Sequence, residues 1–86
     1  MIIVAPEDIK HLSNMKTYIE RKLEQIHKIG HEKRVVISCD IYYDDLGAHR
    51  GEQFVVRLHD VSIDEHFRSN HIRKSLKMAM KWLKEH

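Results

Sequence analysis

The segment His71–His86, HIRKSLKMAMKWLKEH, constrains the fold of the whole chain. At about 100° per residue, Ile72, Leu76, Ala79, Met80 and Leu83 fall in one arc, and an apolar arc of that width has to be buried against other elements. Arg73, Lys77, Lys81 and Lys84 share a flank of the same helix, with Lys74 just beyond them. From Arg68 onward there are six Lys/Arg and one acid, Glu85, for a net charge of +5; residues 1–67 hold nine Lys/Arg and twelve acids, for −3. Arg73–Lys77 and Lys77–Lys81 are like-charge pairs at i,i+4, each unfavourable by a few tenths of a kcal/mol in an isolated helix. Selection for stability alone would alternate the signs, so the stripe predicts an anionic partner. Lysine meets phosphate as a point charge, whereas Arg21 and Arg73 can fork onto it.

The rest of the chain supplies what the arc packs against. Ile2 to Ala5, closed by Pro6, predicts a strand. Ser13 or Asn14 serves as N-cap for a helix in which Met15, Ile19, Leu23 and Ile26 recur at helical spacing, with Tyr18 and Ile29 at the margins. Gly30 is the expected stop, and Thr17, Arg21, Glu24 and Lys28 form the outward pole. From Arg34 to Asp44 the period changes to two: Val35, Ile37, Cys39, Ile41 and Tyr43 point one way, and Val36, Ser38, Asp40, Tyr42 and Asp44 the other. Residues 45–51 form a turn. Phe54, Val56 and Leu58 are the inward set of the next strand, against Val55, Arg57 and His59. After a turn at His59-Asp60, Val61, Ile63 and Phe67 predict a further strand.

This order, β-α-β-β-β-α, predicts an α+β fold: a four-stranded mixed sheet with two helices packed on one face. A right-handed crossover makes the first two strands parallel, and the short later links make their neighbours antiparallel. Side by side, the helices bring Arg21 and Lys28 near the basic stripe. With 86 residues, the chain is one domain, 1–86.

Other function classes find little support. The chain is 42 % apolar and 33 % charged, a folded rather than a disordered composition. The single Cys39 excludes an internal disulfide framework, fits a reducing compartment and is expected to be buried. The opening MIIVAPEDIK reads as neither leader nor anchor, which predicts a cytoplasmic protein with no membrane partner. Among the eight histidines, His59, His66 and His71, with Asp60 and Asp64, could supply metal ligands. They lack a tight spacing such as HxxxH on a helix, so neither a metal site nor a cofactor is expected. Asp40, Asp44 and Asp45 have no nucleophile or base in a catalytic arrangement, and there is no Gly-rich phosphate loop. The expectation is no enzyme and no small-molecule substrate.

His71 adds positive charge beside Arg73 and Lys74 when protonated. Trp82, Met78 and His71 lie on the flank opposite the lysines, where packing at the core margin competes with a stacking platform for an unpaired base or a protein contact.

In this order of elements, MKTYIERKLEQIHKIG followed by RVVISCDI, then FVVRLH and the closing SLKMAMKWL, resembles the ribosome hibernation promoting factor family. That family also takes in the ribosome-associated inhibitor Y and sigma-54 modulation proteins, and the likeness is to its short form. The resemblance implies binding to the small ribosomal subunit, where messenger and transfer RNA sit, with basic residues of both helices on ribosomal RNA. Lys16, Arg21 and Lys22 match the family's basic positions in the first helix. Lys28, Arg68, Arg73, Lys74, Lys77, Lys81 and Lys84 complete the RNA-binding set, with Trp82 and His71 as stacking or interface residues. The second helix departs from the family pattern. Its approach, FRSNHIRK, is basic where the family is acidic, Trp82 stands where a late Lys is common, and Lys77 and Lys81 occupy positions that are often acidic. The alternative is a protein-interaction module of the same fold that has lost ribosome binding and uses the Trp82 side or an exposed strand edge.

Overall fold

A computed structural model describes residues 12–35, 37–44 and 54–86. Its elements are α1 (Lys16–Glu32), β1 (Ser38–Tyr43), β2 (Phe54–His59), β3 (Asp64–Ser69) and α2 (Ile72–Glu85). The class is α+β, with two helices and a three-stranded sheet in the order β1-β2-β3. Both strand pairings are antiparallel. The described residues therefore run α-β-β-β-α, not β-α-β-β-β-α, and their sheet is not mixed. The expected first strand, Ile2–Ala5, lies outside them, as do Val36 and the turn at 45–51.

From Ile37 on the alternation holds, with Ile37, Cys39 and Ile41 buried and Tyr43 packed against the same core, but Val35, expected on that face, is exposed and belongs to the turn that ends α1. Burial, with a smaller effect from the charge of Asp40, pushes the Cys39 thiol up to about 12, so it stays protonated. In β2, Val56 and Leu58 are buried as expected, but Val55 on the opposite face is fully buried too. It sits between its cross-strand partners Tyr42 and Arg68, whose long side chains cover a small one at the sheet's centre. Val61 is a second departure: it is fully exposed in the loop before β3. That loop is organised by Asp60, whose Oδ1 accepts from the backbone N–H of Ser62 at 2.6 Å and of Ile63 at 2.7 Å. An Asx turn of this kind overrides the apolar alternation.

Both helices contribute to a single core. Ile19, Leu23 and Ile26 of α1 and Ile72, Leu76, Ala79 and Leu83 of α2 are buried with the inward set of the sheet. Each Ile or Leu among them contributes roughly 1.5–3 kcal/mol of transfer free energy.

The ends of α1 differ from expectation. A 3₁₀ turn, Ser13–Met15, precedes it, and Met15 holds the N-cap position without a side-chain cap bond. Gly30 does not stop the helix; it lies buried in the last turn against Val35. The stop is a Schellman motif four residues later. The N–H of Val35 bonds the carbonyl of Gly30 and the N–H of Arg34 that of His31, each at 3.0 Å. Arg34 takes the left-handed conformation, φ 57°, that this motif demands.

Candidate nucleic-acid interface

In α2 the arc faces inward and Arg73, Lys74, Lys77, Lys81 and Lys84 are all exposed. The helix starts at His71, whose Nδ1 accepts the N–H of Arg73 at 3.1 Å. His71 is thus an N-cap, with its Nδ1 engaged at the start of the helix. A second anchor lies inside the first turns. Ser75 is fully buried, and its Oγ donates to the Phe54 carbonyl of β2 at 2.8 Å. Its lone pairs face Ser69 Oγ at 2.8 Å. These bonds fix how α2 lies on the sheet, and so which flank its lysines present.

Contacts between the helices advance together along both chains. Tyr18 meets Arg73, Lys22 lies with Lys77, and Lys28 lies with Lys84. The two helices therefore run parallel and side by side, leaving a groove along their outer seam. One stretch, of about 330 Å³, is lined by Lys22, Lys77, Met80, Lys81, Lys84 and Glu85. Another, of about 250 Å³, is lined by Gln25, Lys28, Ile29, Glu32, Met80 and Lys84. Met80 and Lys84 belong to both, so the groove is continuous, with an apolar floor and ammonium groups along its sides. Five lysines from two helices converge here, against Glu32 and Glu85.

At the N-terminal end, the Tyr18 ring carries two cations. Arg73 Cζ is 4.7 Å from its centroid and Lys22 Nζ 5.6 Å. At the far end Lys33 Nζ donates to the Lys84 carbonyl at 2.9 Å, meeting the negative end of α2.

The opposite layer has the opposite sign. Residues 37–44 and 54–69 hold Asp40, Asp44, Asp60, Asp64 and Glu65 against Arg57 and Arg68. On the outer face of the sheet, Arg57 Nε donates to Asp64 Oδ1 at 2.7 Å and Nη2 to Oδ2 at 3.0 Å. Asp40 meets His59 at 2.8 Å, and Arg57 only at 4.0 Å. Bonding to Arg57 first, and to His66 second, holds the Asp64 carboxyl down at about 2.

Of the expected residues, the fold gathers Lys22, Lys28, Lys77, Lys81 and Lys84 in the groove and Arg73 at its head. Arg21 is exposed on α1, Lys16 is exposed in its first turn, and Lys74 holds Asn70 Oδ1 at 3.2 Å. Arg68 is not with them. It projects from the other sheet face, where it bonds Asp44 at 3.1 Å. Strand alternation separates it from the helix layer, because Phe67 and Ser69 take the inward positions. Trp82 is half-buried against Phe67, with ring centroids 6.2 Å apart, and stacks on His86 at 4.5 Å. It is a core-margin residue facing away from the groove.

Sequence reasoning left Tyr18 at a margin and Met80 in the arc, although both serve the groove; their proximity to the lysines depends on the helix pairing. It also passed over His27 and His31, which stand at the HxxxH spacing on α1.

No protein-family model, curated protein or solved structure matches this chain. No helix among the described residues is long and apolar enough to cross a membrane.

Proposed function

We propose that this chain is a non-enzymatic, cytoplasmic translation regulator of the ribosome hibernation type. It binds ribosomal RNA of the small subunit through its helix layer, and its folded body blocks the channel for messenger and transfer RNA. The reading rests on its resemblance to that family. The observation that supports it most is the seam groove, where Lys22, Lys28, Lys77, Lys81 and Lys84 converge from two parallel helices. A phosphate backbone is the polyanion such a groove suits, since binding releases counterions and needs no reading of bases. The negatively charged sheet layer orients the molecule, steering the helices toward RNA and the sheet away from it. No acid, base or nucleophile takes part, because the action is occupancy. Co-sedimentation with purified small subunits at rising salt tests the reading. Binding that weakens steeply with salt supports it, and no co-sedimentation at low salt refutes it.

A further inference from the structure

Six histidines lie among the described residues, and four of them are held. His59 bonds Asp40 at 2.8 Å and His66 bonds Asp64 at 2.9 Å. His71 Nδ1 caps α2, and His86 Nδ1 lies 2.8 Å from the Trp82 carbonyl. The remaining two, His27 and His31, have no hydrogen-bond partner for their rings among the described residues. They are also the pair at i,i+4 on one helix. Positions four apart lie about 40° apart around the axis and one turn apart along it, with Cβ atoms about 5–6 Å from each other. Both side chains are exposed, and both line the same cleft, of about 180 Å³, floored by Ile26, Gly30, Ile37 and Leu83. Two unengaged imidazoles thus face one space.

We propose that His27 and His31 form a two-ligand site for a divalent transition-metal ion of the Zn²⁺, Ni²⁺ or Cu²⁺ class. Imidazole nitrogen suits these ions, and a metal–nitrogen distance of about 2.0–2.1 Å lets rings one helical turn apart grip a single ion. Among the described residues, no group of three or more His, Cys, Asp or Glu is placed to hold a metal. Two coordination positions therefore come from protein, the rest from water, and the ion exchanges readily. Glu24, three residues before His27, lies on the same stripe of α1 and adds negative charge beside the site. The site occupies the flank of α1 away from the lysine groove, since Lys28, Gln25, Ile29 and Glu32 face the seam instead. A bound ion ties together the last two turns of α1 just before the Schellman stop.

The test uses the tag-free 86-residue chain. Substoichiometric Cu²⁺ is added and amide line broadening is mapped by NMR, while Zn²⁺ affinity is measured by calorimetry. Broadening should centre on residues 24–32. His27→Ala and His31→Ala should each weaken Zn²⁺ binding about a hundredfold, because either change turns chelation into single-point binding. His66→Ala and His86→Ala should bind as the parent does. Both tested histidines are exposed, so circular dichroism should show an unchanged fold; His27→Gln and His31→Gln serve as second variants. Broadening centred on other histidines, or unchanged Zn²⁺ affinity in His27→Ala and His27→Gln, would overturn the site.

Discussion

The guanidinium carbon of Arg73 lies 4.7 Å from the centroid of the Tyr18 ring. Lys22 Nζ sits 5.6 Å from the same ring centroid, so one aromatic ring of α1 attracts cations from both helices. The ring helps a like-charged surface hold together. The Arg73–Lys77–Lys81 series repels itself, and part of that repulsion is offset by a ring quadrupole that attracts cations without neutralising them. Tyr18→Leu should therefore cost about 0.5–1 kcal/mol beyond its change in packing, while Tyr18→Phe keeps the ring and the stability. A double-mutant cycle with Arg73→Ala in urea checks this; zero coupling would contradict it.

Arg34 should be a stabilising target. It holds φ 57° at the αL position of the Schellman motif that ends α1. A side chain there costs about 1 kcal/mol or more, which glycine relieves in part while raising the entropy of the unfolded chain. Arg34→Gly should raise the melting temperature by about 4 °C. A melting temperature at or below that of the parent would count against the assignment.

Ser75→Ala should be costly for so small a change. It removes the side-chain donor to the Phe54 carbonyl and leaves Ser69 Oγ, which has a single proton to share between Ser75 and the His71 carbonyl, with one partner fewer. The expected loss is about 1–3 kcal/mol in denaturant unfolding. A loss well under 1 kcal/mol would mean that water takes over these bonds.

Acid sensitivity should trace to Asp64. Its carboxyl titrates near 2 in the folded state, against the ordinary 3.8. A depressed folded value means the contribution is complete above about 4 and is lost as pH falls toward 2. Asp64→Asn should flatten the pH dependence of the melting temperature in that window, and an unchanged slope would show that other carboxylates carry it.

These features were legible in the sequence to different degrees. Strong periodicity reported itself: the arc of α2 and the alternation of Cys39 and Ile41 needed no tertiary context, because each period leaves one face to bury. Gly30 misled because a buried glycine inside a last turn looks the same in sequence as one that ends a helix. Arg34, the true stop, bears no such mark. Val61 misled because a single Asp60 side chain takes the backbone donors of Ser62 and Ile63 and turns the chain there. Arg68 was grouped with the stripe by its closeness in sequence, which strand alternation reverses. HKIGH at 27–31, by contrast, was fully written in the chain, and what the fold adds is that, among the described residues, its two rings are left unengaged.

The most direct measurement is small-subunit co-sedimentation of the parent beside the double variant Lys77→Glu with Lys81→Glu. The first of these changes replaces the repulsive Arg73–Lys77 pair with an attractive one, which offsets the Lys81–Glu85 attraction that the second removes, so the helix should stay folded. The parent should bind with log affinity falling by about 0.9 per phosphate contact for each tenfold rise in salt, and the double variant should bind about tenfold or more weakly. Equal binding by a folded double variant would show that the lysine groove is a solvated surface and not the interface.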